Sequence, residues 1–321
     1  MTATPVLVAG TVGSGAQHHQ AEMWTPAFAA AGLEAVGVWT PPTVDAAALA
    51  RARSLAGDLG VDLEVSEEPS TAAAGAVVCL RGAERIAFAR FAAERGMPIL
   101  LDKPTLDATA QVEELAAVAG DGIVMAGHHL SSHPGFTRAL TAVRGAEIGL
   151  LRAVHADLVS GGGDRSPDGE LRNLGVYLVE LTRQTTGPAD LTLQATATGA
   201  GDAWTFLGRT DREVVVSAHV SRAGAGEASP RSLRARLRLL GTHGSLIVDL
   251  AKPAIGLATT NATSTVPFVG ESSVVAHLRR FARAIDGSVR VPAPADLVTL
   301  SRALDAIAAS AATGDATPLT W

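Results

Sequence analysis

Over the first 126 residues, short apolar runs alternate with amphipathic segments, and this alternation constrains the fold more than any other feature. The runs cover residues 5–10, 33–39, 61–65, 75–80, 98–102 and 122–126. The helical segments cover residues 18–31, 44–59, 83–95 and 107–119. Runs that are apolar throughout are typical of strands buried on both faces, and intervening helices indicate a parallel sheet. We therefore predict a doubly wound α/β domain of the Rossmann type over residues 1–126.

The pattern changes after residue 127. Extended runs follow at 150–159, 191–198, 213–221, 231–240 and 245–250, with helical segments at 134–145, 170–186, 271–286 and 294–313. In LTLQATAT and SLRARLRLL, apolar residues alternate with polar ones, which predicts strands with one buried and one polar face. We therefore predict a second α/β domain over residues 127–321, with an open and mainly antiparallel sheet. Its row of arginines is either a solvated face or a subunit contact.

Composition excludes several classes of protein. A chain of 321 residues with 47% hydrophobic content can form two cores, and its formal net charge of −6 leaves no basic surface for nucleic acid. Cys79 is the only cysteine, so a disulfide framework is excluded. The first residues contain no basic region and no apolar stretch reaches 18 residues, so we expect neither secretion nor membrane insertion, and a cytoplasmic location.

A glycine-rich turn follows the first predicted strand and has the composition of a phosphate-binding loop. It comprises Gly10, Thr11, Val12, Gly13, Ser14 and Gly15. Glycines here let the backbone approach a pyrophosphate at the N-terminus of the next helix. The spacing is not G-x-G-x-x-G, and a turn without a ligand remains the alternative.

Lysine is rare enough in this chain for its position to carry information. Among 26 basic residues only Lys103 and Lys252 are lysine. Lys103 follows Asp102 at the end of the fifth predicted strand, in PILLDKP. In a chain that uses arginine almost everywhere else, a lysine here indicates a position where arginine cannot replace it. A lysine placed there by chance is the alternative.

These motifs together resemble the Gfo/Idh/MocA family of NAD(P)-dependent oxidoreductases over essentially the whole chain. The resemblance rests on PILLDKP, GHHLSSHP, GELRNLGVYLVELTRQTTG, LLGTHGSLIVDL and the last two helical segments. It implies a Rossmann domain and a second domain whose open sheet often forms the oligomer interface, hence a homodimer or homotetramer. It also implies hydride transfer between nicotinamide and a hydroxyl-bearing carbon of a sugar, cyclitol or related polyol.

The resemblance assigns residues to the cofactor. Lys103 matches the family lysine beside the nicotinamide, and His19 matches a family histidine near the cofactor. Besides the glycine-rich turn and these two residues, we expect the cofactor to contact Trp39, Thr40, Leu80, Arg81 and Asp102. No carboxylate ends the second strand and no arginine follows it at once, so the choice between NAD and NADP stays open.

The predicted site departs from the family at several positions. Tyr177, the only tyrosine, stands where the family has its acid/base histidine, and Ser131 stands at the position of a frequent arginine. After the fourth strand, the segment LRGAER (residues 80–85) replaces the family's threonine-proline-asparagine loop and its downstream histidine. An ammonium near a phenol favours the phenolate, so Lys103 and Tyr177 could together accept a proton. The alternative is that Tyr177 only packs.

Several polar residues are candidates for substrate binding. Asn173 shares a helix face with Tyr177, and His128, His129 and His155 carry hydrogen-bonding rings. We predict no metal site, because Pro134 and the serines between His129 and His133 indicate a loop rather than a helix with two ligands on one face.

Three functions fit this sequence. The first is NAD(P)-dependent oxidoreduction of a polyol with Lys103 and Tyr177 as catalytic residues. The second is elimination, epimerisation or glycoside cleavage assisted by a retained NAD(P). The third is an inactive protein that binds a nucleotide or sugar for regulation. Lys103 favours an enzyme, whereas the altered loop and the missing histidine favour the third function.

Overall fold

The computed structural model describes residues 2–10, 20–103, 108–161, 166, 169–223, 232–251, 254–259, 263–267 and 271–321. Its contacts divide the chain into two compact units. The first unit comprises Met1–His128 with Val274–Val298, and the second comprises His129–Ser273 with Thr299–Trp321. The division into two domains at residues 1–126 and 127–321 stays a prediction.

The first unit contains the parallel sheet that the apolar runs predict. Its strands are β1 (Thr4–Ala9), β2 (Leu33–Thr40), β3 (Leu63–Val65), β4 (Gly75–Val78), β5 (Ile99–Leu101) and β6 (Val124–Ala126). Their order is β3-β2-β1-β4-β5-β6, and every pairing is parallel. This is the doubly wound order of a Rossmann domain, in which all carboxyl ends meet at one edge.

Helices join these strands. They are α1 (Gln20–Trp24), α2 (Phe28–Ala31), α3 (Ala46–Leu59), α4 (Gly82–Glu94) and α5 (Thr109–Ala119). The single helix predicted over residues 18–31 is wrong within the described part, because a 3-10 turn at Thr25–Ala27 separates α1 from α2. Pro26 lies in that turn and has no N–H to donate to an α-helical bond.

A nine-stranded mixed sheet forms the second unit. Its strands are β7 (Leu151–Gly161), β8 (Leu191–Ala197), β9 (Ala203–Thr210), β10 (Val215–Ala223), β11 (Ser232–Gly241), β12 (Gly244–Asp249), β13 (Ala254–Thr259), β14 (Thr263–Pro267) and β15 (Thr317–Leu319). Their order is β14-β13-β12-β11-β7-β10-β9-β8-β15. Among the described strands of this second sheet, only β7 and β10 pair in parallel, so the sheet is mainly antiparallel as predicted.

The remaining helices are α6 (Pro134–Arg144), α7 (Val176–Thr186), α8 (Ser273–Ile285) and α9 (Pro294–Thr313). Within the second unit, α6 packs on β12 and α7 packs on β7. Residues Val154, Leu158 and Val220 of the sheet are fully buried. The helices therefore cover one face of the sheet, and the polar residues of the alternating strands lie on the other face.

The helix ends follow the sequence closely. Gly314 ends α9 with φ +78° and donates its N–H to the Ser310 carbonyl, the left-handed conformation that glycine commonly adopts after a helix. None of the helices in the described part of the chain combines the length and the apolar character that a membrane span requires.

Candidate functional site

The carboxyl edge of the parallel sheet brings several predicted cofactor residues together. Gly10 directly follows β1, and its N–H donates to the Trp39 carbonyl at the end of β2 at 2.7 Å. Gly10 has φ +71°, and a Cβ there would lie 2.5 Å from the Leu80 side chain and 2.7 Å from the Cys79 carbonyl oxygen. Only glycine therefore fits at the start of the predicted phosphate loop. The predicted cofactor residues Thr11, Val12, Gly13, Ser14, Gly15 and His19 lie outside the described residues.

At the end of β2 the predicted residues Trp39 and Thr40 are both buried. The Trp39 indole donates to the Ser66 hydroxyl at 3.1 Å and packs on the Phe88 ring at a centroid distance of 5.4 Å. Trp39 is therefore held by Ser66, which follows β3, and by Phe88 of α4. Thr40 is the last residue of β2, the strand end at which a doubly wound fold commonly carries an acidic residue.

The end of β4 is held by α4. Leu80 is buried, and its carbonyl accepts a hydrogen bond from the Arg85 side chain at 2.8 Å. Arg81 is the N-cap residue of α4, in extended conformation. Both predicted cofactor residues of this strand end therefore lie at the same edge as Gly10.

Asp102 and Lys103 follow β5, and Asp102 is fixed from two sides. Its N–H donates to the Val78 carbonyl at 2.9 Å, and the Trp24 indole donates to its carboxylate at 2.7 Å. Burial raises the pKa of Asp102 to about 6, against the opposing effects of the Trp24 hydrogen bond and the Lys103 charge. Lys103 itself is partly exposed. The strand end therefore presents an ammonium beside a carboxyl group that titrates near pH 6.

Sequence reasoning did not identify two side chains that support this turn. Trp24 is fully buried and packs against the His277 ring at a centroid distance of 5.9 Å. His277 in α8 contacts the Ala126 carbonyl at 2.7 Å, at the end of β6. In the sequence, the helical spacing of His277, Leu278 and Phe281 indicates that all three lie on a buried face of α8. This spacing does not indicate which strand His277 contacts.

In the second unit the structure brings Tyr177 and His129 together. Their rings meet edge to face at a centroid distance of 5.4 Å, and His129 Nδ1 lies 2.8 Å from the Ser273 hydroxyl. Tyr177 is 3% exposed, whereas His129 is partly exposed. The predicted catalytic tyrosine thus has an imidazole ring as its neighbour, which the sequence alone did not indicate.

Asn173 lies one turn before Tyr177, in a π-helical turn at Leu171–Gly175. Its side-chain amide donates to the Glu170 carboxylate at 3.3 Å. Glu170 also forms a buried ion pair with Arg222 at 2.6 Å, and it accepts the Ser166 N–H at 3.0 Å. This buried network gives the start of α7 a defined geometry. The π-helical turn is of interest because such turns are frequent at functional sites.

His155 is not placed beside Tyr177. His155 lies on the open face of the sheet, opposite the face that α7 covers, with its Nδ1 2.6 Å from the Ser217 hydroxyl. There it lines a depression of about 400 Å³. His128 is buried in the first unit. We therefore do not include His155 in the proposed substrate site.

His133 has a structural position at the start of α6. Its Nδ1 accepts the Gly135 N–H at 3.1 Å, and burial lowers the pKa of this histidine. A neutral ring is the form that can accept this bond. Among the described residues no group of three or more His, Cys, Asp or Glu side chains is arranged to hold a metal ion.

Comparison with known proteins gives structural relatives only. No protein-family model matches the chain, and no curated protein sequence matches it. Levoglucosan dehydrogenase in complex with NADH and L-sorbose superposes with a TM-score of 0.80 at 15% identity, over 99% of both chains. An oxidoreductase domain protein from Kribbella flavida gives 0.77 at 20% identity, over 100% of both chains. The chain shares this fold.

A third solved structure extends the comparison. UDP-N-acetylglucosamine 3-dehydrogenase GnnA from Acidithiobacillus ferrooxidans gives a TM-score of 0.77 at 19% identity, over 97% of this chain and 98% of that one. The three solved structures each superpose on nearly the whole of this chain, so they share its fold. At 15–20% identity, most of their side chains differ from those of this chain.

Proposed function

We propose that this protein is an NAD(P)-dependent oxidoreductase that transfers hydride to or from a hydroxyl-bearing carbon of a sugar, cyclitol or related polyol. The observation that carries the proposal is the placement of Gly10 and Lys103 at one edge of a single parallel sheet. The strands that they follow, β1 and β5, are separated only by β4, so their ends lie about 10 Å apart. A dinucleotide bound at such an edge extends from its phosphates to its nicotinamide across that distance.

The chemistry requires a proton acceptor and a positive charge at the reacting oxygen. Hydride leaves a carbinol carbon as its hydroxyl proton is taken up, so a base must reach that oxygen. We propose that Lys103 and Tyr177 act on the same substrate, with the ammonium favouring the phenolate form of the tyrosine. In the second unit, His129 and Asn173 are proposed to hold the substrate hydroxyls.

The comparisons support the class of ligand. Levoglucosan dehydrogenase was solved with NADH and a sugar, and GnnA is named as a dehydrogenase of a sugar nucleotide. A cytoplasmic location and a homodimer or homotetramer formed through the second sheet are also proposed.

The test combines binding and turnover. The protein is titrated with NADH and NADPH by fluorescence, and then tested with polyols and keto-sugars for a change in nicotinamide absorbance. Binding with turnover supports the proposal. Binding without turnover on any compound would favour redox-assisted chemistry or a regulatory protein. Absence of NADH and NADPH binding would contradict both NAD(P)-dependent functions.

A further inference from the structure

A groove of about 420 Å³ lies in the first unit beside the end of β2. Its floor is aromatic, because Trp39 packs on Phe88 at 5.4 Å and Phe88 packs on Phe91 at 5.7 Å between ring centroids. Pro41 and Pro69 complete its apolar wall. Small-ligand sites are usually apolar clefts with a few polar groups, and a planar ring can stack on an aromatic floor of this kind.

The charges around this groove are distributed unevenly. At the end next to β2, the Thr43 hydroxyl donates to the Glu84 carboxylate at 2.6 Å, and no described Lys, Arg or His lies within ion-pair distance of Glu84. At the other end, Glu68 and Glu94 both pair with Arg95, at 3.1 Å and 3.8 Å. Uncompensated negative charge therefore lies where the groove meets the end of β2.

Position in the fold indicates what this end of the groove would contact. In doubly wound folds the pyrophosphate lies at the turn after the first strand, here Gly10, and the adenosine ribose lies at the end of the second strand. The acidic residue that often holds the ribose hydroxyls there is absent, since β2 ends on Thr40 and continues into Pro41. Glu84 approaches the same place from α4, and Thr43 orients its carboxylate.

We propose that the groove receives the adenosine half of the dinucleotide and that Glu84 selects NAD over NADP. This inference rests on the proposed function. The Glu84 carboxylate accepts a hydrogen bond from a ribose hydroxyl of NAD, whereas the 2′-phosphate of NADP places additional negative charge against it. Like charges at close range disfavour binding, and no described basic side chain lies within ion-pair distance of this carboxylate to neutralise it.

Two arginines oppose this selection. Arg81 stands three residues before Glu84 at the start of α4, and Arg90 lines the groove farther along the same helix. An arginine is the residue that accommodates a 2′-phosphate in NADP-dependent folds. Glu84 dominates because it lines the groove at its β2 end, whereas Arg81 does not line the groove and Arg90 lies about 9 Å farther along α4. Arg81 is therefore included in the test as the competing determinant.

The experiment measures the Kd of NADH and of NADPH for the full-length protein and four variants. Glu84→Gln removes the charge but keeps an acceptor for Thr43, Thr43→Val removes the orienting hydroxyl, and Arg81→Gln removes the competing cation. Glu34→Gln is the matched control, because it makes the same charge change in β2 at the end opposite Thr40, about 20 Å from that residue. Thermal unfolding of each variant verifies folding.

We expect the wild type to bind NADH more tightly than NADPH, by about tenfold or more. Glu84→Gln lowers that ratio by about tenfold, chiefly through tighter NADPH binding, and Thr43→Val lowers it less. Glu34→Gln leaves the ratio unchanged. In about 1 M salt the wild-type ratio falls toward that of Glu84→Gln, because screening then acts over about 3 Å.

Three results would overturn the inference and leave the proposed function intact. They are equal affinity for the two cofactors, an unchanged ratio in Glu84→Gln, and a preference for NADPH that Arg81→Gln removes. Absence of binding to either cofactor contradicts the proposed function itself, so the two failures are distinguishable.

Discussion

Lys103 is the residue on which the proposed chemistry depends most directly. Its backbone follows Asp102, which the Val78 carbonyl and the Trp24 indole hold in place. An arginine cannot replace a compact ammonium near a reacting oxygen, because its charge is spread over a planar group. We expect Lys103→Arg to lower turnover by about 100-fold or more while the Kd of NADH changes little. Lys252→Arg, the same exchange at the only other lysine, is the control; equal turnover in both variants would contradict the assignment.

Tyr177 permits a test of the same proposal from the second unit. Removing the phenolic oxygen removes the proposed proton acceptor and leaves the ring that packs on His129. We therefore expect Tyr177→Phe to lower kcat by about 100-fold or more, with little change in the Kd of NADH. Steady-state kinetics and cofactor titration on one preparation measure both quantities. An unchanged kcat would show that Tyr177 serves packing alone.

Asp102 makes stability depend on pH. Burial raises its pKa from 3.8 to about 6, so the folded protein binds the Asp102 proton more tightly than the unfolded chain does. The stabilisation from this proton is present below pH 3.8 and is lost as pH rises to about 6, a difference of about 3 kcal/mol. Asn keeps an acceptor for Trp24 and does not titrate. The stability of Asp102→Asn relative to wild type should therefore rise by about 2 kcal/mol between pH 4 and pH 7.

Urea unfolding at several pH values measures this difference. Asp58→Asn, which makes the same exchange at an exposed position of α3, is the control. A relative stability of Asp102→Asn that stays constant with pH would mean that Asp102 titrates normally.

The start of α7 depends on the buried ion pair between Glu170 and Arg222. Their side chains are 2% and 7% exposed, and the pair also orders Asn173 through its amide. Removing one member leaves an uncompensated buried charge, so we expect Arg222→Met to cost about 3–5 kcal/mol of unfolding free energy. The double variant Glu170→Met with Arg222→Met should recover much of this loss, since apolar replacement of a buried pair is often neutral.

An exposed ion pair in the same unit provides the comparison. Arg209 pairs with Glu213 at 3.1 Å, and both side chains are more than 60% exposed. Solvent screens such a pair, so Arg209→Met should cost about 1 kcal/mol or less. Equal losses for Arg209→Met and Arg222→Met in urea unfolding would contradict a special role of the buried pair.

The open face of the second sheet bears on the behaviour of the whole molecule. Leu207 and Ile247 are 57% and 47% exposed on this face, and they flank the depression lined by His155 and Ser217. We propose that a second copy covers it. Light scattering after size exclusion should give a homodimer or homotetramer for wild type and a smaller species for Leu207→Glu with Ile247→Glu. Val65→Glu, at a 45% exposed position of the first unit, is the control; a monomeric wild type would contradict the proposal.

The sequence predicted the parallel sheet well because its signal is local. Strands buried on both faces need continuous apolar residues, so β1, β2 and β4 are readable from composition alone. In the second unit, β9 was not predicted. Its segment, AWTFLGRT, alternates weakly and contains Gly208, and its strand conformation depends on pairing with β8 and β10.

For the candidate site, residue type and chain position were enough to select Gly10 and Lys103, because a glycine turn and a rare lysine are visible without a structure. Tyr177 was selected through the resemblance of its helix to the family motif. Their surroundings were not visible. Contacts such as Trp24 with Asp102, His129 with Tyr177 and Glu170 with Arg222 join residues 78, 48 and 52 positions apart. Periodicity reports only which face of an element is buried, whereas the identity of the neighbour is decided by tertiary packing. The sequence therefore determined the order of elements and the residues available for chemistry, and the tertiary structure decided which side chains hold them in place.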